Sequence, residues 1–221
     1  MKTLIYTIIA LILLFANAFA LNQMTLVGQY DGENSDDLFG QCMTMGDFDN
    51  DGHDEFFISA LRWNNLRGKN YYYDWNGNWP TAPDWTFQGT EDLHIYDWVD
   101  QNMGDINLDG IEDFGVAEIR AGEPTRLDLL FGSTAFDSVA DWSMWTESPA
   151  ATCTMLDSCG DINADGGLDF IMHIISNYPD YEDVRIYYGG EILDSIPDWF
   201  FPIPDFEYQF CHGLGDVNGD G

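Results

Sequence analysis

A seven-residue pattern, Gly-Asp-x-[Asp/Asn]-x-Asp-Gly, occurs four times in this chain, its first aspartate falling at Asp47, Asp105, Asp161 and Asp216. The copies lie 58, 56 and 55 residues apart. Each places oxygen ligands on alternate residues and follows them with a glycine that permits a sharp turn, which is what a loop folded around calcium needs. One copy would be an ordinary Asp/Gly turn. Four in register at a near-constant period signal a repeat architecture, in which a unit buries its apolar faces only by stacking on its neighbours.

A second marker runs in phase with the first. Tyr71-Tyr72-Tyr73-Asp74-Trp75 leads to Asp84-Trp85, Leu129-Leu130-Phe131-Gly132 leads to Asp141-Trp142, and Ile186-Tyr187-Tyr188-Gly189 leads to Asp198-Trp199. The three tryptophans are each 57 residues apart. Every unit contains four short runs rich in β-branched and aromatic residues, bounded by Gly, Asp, Asn and Pro. In the second unit these are Asp97 to Met103, Asp113 to Glu118, Arg126 to Phe131 and Asp141 to Trp145. Sustained helical periodicity is absent. The expected fold is all-β, a β-propeller of four-stranded antiparallel blades. Blade units are expected at about 29–89, 90–146 and 147–203, with a partial blade at 204–221 and an unpaired outer strand at 22–28. That makes about three and a half blades, as in a propeller truncated at its C-terminus. Trp85, Trp142 and Trp199 are expected to pack between blades.

The loops align residue by residue. Position 1 is Asp47, Asp105, Asp161 or Asp216; position 3 is Asp49, Asn107, Asn163 or Asn218; position 5 is Asp51, Asp109, Asp165 or Asp220. Position 7 is His53, Ile111 or Gly167, where a backbone carbonyl would serve and the side chain is free to vary. Position 9 is Glu55, Asp113 or Asp169. Apolar residues at position 2 (Phe48, Ile106, Ile162, Val217) and position 10 (Phe56, Phe114, Phe170) would anchor both ends of the loop. The predicted cofactor is therefore Ca2+, one ion per loop, with three complete loops and one truncated. An EF-hand requires Glu at position 12, where Ile58, Val116 and Met172 stand instead.

The first twenty residues read as a secretory signal peptide: Lys2, an apolar run from Leu4 to Phe15, and the cleavage site Ala18-Phe19-Ala20. Removing Lys2 takes the formal charge from −32 to −33. Such a chain repels phosphates, which excludes nucleic acid as a partner. No later stretch reaches the roughly 20 apolar residues of a membrane span. Export permits disulfides. Cys153 and Cys159 are nevertheless six residues apart on one expected strand, too far to bridge, and Cys42 and Cys211 hold equivalent positions three repeats apart. All four cysteines read as small apolar residues.

The loops and their flanks resemble the FG-GAP repeats of integrin α-subunit heads and of related bacterial secreted proteins. Phe39-Gly40 stands before the first loop at the family's distance, and Gly46 to Ile58, Gly104 to Val116 and Gly160 to Ile171 match the loop and the strand after it. Phe-Gly is absent before the later loops, and Gly-Ala-Pro is replaced by Ser59-Ala60-Leu61 and Ala117-Glu118-Ile119. The resemblance implies a seven-bladed propeller with calcium on one face, secreted or at the cell surface. It also implies an adhesion or recognition module for an extracellular protein or carbohydrate.

No catalytic constellation stands out: there is no Gly-x-Ser-x-Gly elbow, no His-Glu-x-x-His motif and no pairing among His53, His94, His173 and His212. The alternative is the propeller domain of a secreted polysaccharide lyase or hydrolase. Its nearest candidate site is Arg62 to Asn70, where Arg62, Arg67 and Lys69 accompany Trp63 and could contact an anionic sugar.

Overall fold

In a computed structural model the described residues are 28–89, 91–177, 180–203 and 212–213. The signal peptide, the outer strand expected at 22–28 (apart from Gly28) and the loop of Asp216, Asn218 and Asp220 lie outside them. The chain divides into two compact units, Met1–Tyr30 and Asp31–Gly221. Of the first, Gly28 to Tyr30 are described and carry no regular structure.

The second unit is all-β, with three four-stranded antiparallel sheets formed by strands that follow one another in the chain. The first sheet is β1 (Phe39–Gly46), β2 (Glu55–Ala60), β3 (Lys69–Tyr73) and β4 (Trp85–Gln88). The second is β5 (His94–Gly104), β6 (Asp113–Arg120), β7 (Arg126–Leu130) and β8 (Trp142–Trp145). The third is β9 (Ala151–Gly160), β10 (Asp169–Asn177), β11 (Asp180–Tyr187) and β12 (Trp199–Ile203). The four strands expected between 97 and 145 are all present, and β5 begins earlier than expected, across a bulge between Tyr96 and Val99. Among the described residues the one helical turn, Trp63–Leu66, is irregular, with Asn64, Asn65 and Leu66 at positive φ.

Stacking of the sheets explains the apolar runs. All six residues of β2 and the first six of β6 are buried, because both faces of a sandwiched strand are covered. Between the first and second sheets, Phe57 and Phe114 stack at 4.0 Å, and Phe48, Tyr72, Val116 and Leu130 close around them. A second core joins the next two sheets through Met103, Ala117, Leu129, Phe170, Met172 and Ile174. Alternation decides the partner: odd residues of β6 face one neighbour and even residues the other.

The recurring Asp-Trp marker acquires a physical cause. Asp84, Asp141 and Asp198 each accept a backbone N–H ten residues back, from Asp74 (2.9 Å), Phe131 (2.8 Å) and Tyr188 (2.8 Å). Each also donates its own N–H to a carbonyl of the preceding strand. The aspartate thus clamps the turn that leads into β4, β8 or β12.

Trp85 and Trp142 pack against the inter-sheet cores as expected, Trp85 stacking on Tyr72 at 4.5 Å and lying 5.7 Å from Phe136 of the second sheet's segment. Trp199 departs from that expectation. It is half exposed and stacks on Phe201, because no described sheet covers the far face of the third. No disulfide joins Cys42, Cys153 and Cys159 to one another, the last two lying on β9; Cys211 lies outside the described residues. No described helix is long and apolar enough to cross a membrane.

Candidate metal centre

The three described loops adopt one hydrogen-bond scheme. The position 5 N–H donates to the position 1 carboxylate: Asp51 to Asp47 (3.0 Å), Asp109 to Asp105 (3.1 Å), Asp165 to Asp161 (3.0 Å). It also donates to the position 3 oxygen of Asp49 (3.1 Å), Asn107 (2.9 Å) or Asn163 (2.8 Å). The position 6 glycine donates to the other oxygen of position 1, at 3.1, 2.9 and 2.9 Å. The position 7 N–H, of His53, Ile111 or Gly167, donates to position 5 at 2.9 Å in every loop. These contacts span two to five residues, so the local sequence alone suffices to form them.

Two positions per loop are left-handed. Gly52, Gly110 and Gly166 have φ of 89°, 88° and 101°, as a tight turn requires. Position 4 is left-handed as well, with Asn50, Leu108 and Ala164 at φ 60°, 68° and 62°. Asn tolerates that region; Leu and Ala are strained there, so the loop geometry outranks their preference. Sequence reasoning missed this position, since only Asn50 carried a signal.

The first two loops are also joints between sheets. Phe48 is fully buried against Phe114 and Phe136, and its carbonyl accepts the Ser133 N–H at 2.9 Å. Ile106 repeats this one sheet later, accepting the Gly190 N–H at 2.7 Å. The Glu112 carboxylate, unremarked in the sequence, accepts the Asp47 N–H at 3.0 Å and the Asn102 amide at 2.8 Å. Ile162, the third loop's equivalent, is half exposed.

Position 9 distinguishes the loops. Asp113 and Asp169 are fully buried, and both oxygens of each are taken by backbone donors. One donor is the position 2 N–H, of Ile106 (2.9 Å) or Ile162 (2.7 Å); the other is Gly132 (2.8 Å) or Gly189 (2.9 Å). Those glycines sit where a Cβ would strike the Glu112 or Leu168 carbonyl. In the first loop Glu55 is equally buried, and its Oε2 accepts the Phe48 and Asp49 N–H groups at 2.9 and 3.3 Å. Its Oε1 has no partner. There Trp75 replaces the glycine, stacked on Trp79 and 5.9 Å from the His53 ring.

Asp47, Asp49, Asp51 and Glu55 offer four carboxylate oxygens within 4.8 Å of one another. Burial, then repulsion from Asp49 and Asp47, pushes the Glu55 carboxyl up to about 8 against the pull of its two backbone donors. Asp49 is raised by burial and by Asp51, and Asp74 by burial and by Asp84 and Asp51. Burial raises Asp113 to about 7 and also raises Asp169. Converging carboxylates of this kind resist ionising together unless a cation joins them. Glu55 Oε1, a buried acceptor with no donor, fits a metal ion, and all-oxygen ligands fit a hard one.

The basic segment is organised differently from a free anion site. Lys69 pairs with Glu33 and lies 4.8 Å from both the Trp63 and Tyr71 rings, the Trp63 indole donates to Glu33, and Arg67 pairs with Asp92 at 2.7 Å.

Fold and site together define an all-β protein of stacked four-stranded sheets in which, among the described loops, the first gathers four carboxylates. No family model matches the chain, and no curated protein matches it.

Proposed function

We propose that this chain is a secreted, calcium-binding β-propeller of the FG-GAP type that acts as an adhesion or ligand-recognition module for an extracellular protein or carbohydrate. The observation that carries the proposal is the clustering of the Glu55 carboxylate, whose buried Oε1 has no partner, with those of Asp47, Asp49 and Asp51, inside a loop scheme repeated at Asp105 and Asp161. Calcium would be held by positions 1, 3, 5 and 9 and by the position 7 carbonyl of each loop. Bound there it would neutralise carboxylates at the joints between blades and hold the blade surfaces in fixed relation. Recognition would then fall to the loops on a rigid scaffold.

The enzymatic alternative receives less support, because Arg67 and Lys69 are already paired with this chain's own acids. The test is to probe the secreted protein against arrays of extracellular glycans and matrix proteins, with calcium and with chelator. Calcium-dependent retention of a defined ligand class supports the module. Turnover of an acidic polysaccharide without stable binding would overturn it in favour of a lyase or hydrolase.

A further inference from the structure

We infer that the loops are not equivalent, and that the first, built on Asp47, Asp49, Asp51 and Glu55, is the tight calcium site while those of Asp105 and Asp161 fill after it. The inference rests on the calcium reading above and adds an order to it.

Three observations separate the loops. The first is charge: loop one presents four carboxylates at positions 1, 3, 5 and 9, whereas Asn107 and Asn163 leave three in each of the others. Ligand charge is one of the quantities that sets calcium affinity in such loops. The second is the side-chain amide. Asn107 and Asn163 donate Nδ2 to Asp109 and Asp165 at 3.1 and 2.9 Å, occupying an oxygen that a cation needs. Asp49, being ionisable and lacking a donor when charged, makes no such bond, and among the described residues Asp51 accepts only the His53 N–H, on one of its oxygens.

The third is the reach of position 9. Asp113 and Asp169 are latched between two backbone N–H groups, one of them from a glycine 19 or 20 residues onward. Glu55 is one methylene longer, and Trp75 stands where that glycine would be. One oxygen therefore holds the backbone while the other is left buried and unpartnered, on a carboxylate that belongs to the acidic cluster. A cation in loop one gains a ligand that is already desolvated and has no donor to give up. In loops two and three both oxygens of position 9 already have backbone donors.

The experiment is a calorimetric calcium titration of the full secreted chain and of its variants. Wild type is expected to show one event at least about tenfold tighter than the rest, the scale that ligand charge count produces in such loops. Glu55→Gln is expected to remove that event alone, and Glu55→Asp to weaken it toward the others. Trp75, beside His53, provides a second readout: its fluorescence should change during the tight event, and Trp75→Phe should abolish that change while leaving the heat. Retention of wild-type secondary structure by Glu55→Asp, measured by circular dichroism, separates lost binding from lost folding. A tight event that survives Glu55→Gln overturns the order. Equal affinities at every loop also overturn it but leave the calcium reading standing. No calcium heat at all overturns the calcium reading itself.

Discussion

If the loops hold calcium as proposed, its removal is expected to lower the thermal midpoint of the chain, by an amount the loops allow to be worked out. Extracellular calcium loops bind with Kd of about 10⁻⁴ to 10⁻³ M. At about 10 mM free calcium, one site that exists only in the folded state contributes roughly 1.4 to 2.7 kcal/mol by mass action. For a chain of about this size, that is about 3 to 10 °C in Tm per filled site. The structure sharpens the expectation, since Phe48 and Ile106 tie loops one and two to the next sheet and a folded loop is required for the ligands to converge. The assay is differential scanning calorimetry with calcium, with magnesium and with chelator. Asp105→Ala together with Asp109→Ala is expected to shrink the calcium-dependent rise by one site's worth. The same pair also lowers the chelated baseline, because Asp105 and Asp109 together accept the N–H groups of Asp109, Gly110 and Ile111. A midpoint indifferent to calcium and chelator would refute the reasoning. So would a double variant whose calcium response equals that of wild type.

The metal-free protein is expected to lose stability as pH rises. Glu55 is shifted from its ordinary 4.5 to about 8 and Asp113 from 3.8 to about 7, so between those limits the folded state holds protons that the unfolded chain has released. Urea titrations from pH 5 to pH 8 in chelator check this; a stability that climbs with pH contradicts it, and saturating calcium should flatten the slope. Phe114→Ala, emptying a fully buried ring that stacks on Phe57 at 4.0 Å, is expected to cost about 3 to 5 kcal/mol by urea unfolding. Asp141→Ala removes the acceptor of the Phe131 N–H and should cost about 0.5 to 1.5 kcal/mol without changing calcium affinity. An Asp141 variant that binds calcium more weakly would place that turn inside the site.

Much of this protein is determined within short windows of sequence. The loop scheme rests on contacts two to five residues apart, so the pattern from Asp47 to Gly52 predicts its own geometry and the register repeats it at Asp105 and Asp161. The strands of the second sheet follow from β-branched and aromatic runs between turn residues, and their buried faces from alternation. The aspartate before each tryptophan was visible as a marker, but its reason, a clamp ten residues back, appears only in the folded turn.

Other features were decided by contacts between distant segments, which no local window encodes. Trp199 is exposed while Trp85 is packed, although both occupy the same repeat position, because packing depends on what the next sheet supplies. Glu55 and Asp113 looked interchangeable as position 9 acids. Their difference arises where the turn after β3 or β7 approaches, with Trp75 at one and Gly132 at the other. Whether a buried carboxylate is satisfied depends on donors delivered from the far end of the sheet, and only tertiary structure delivers them.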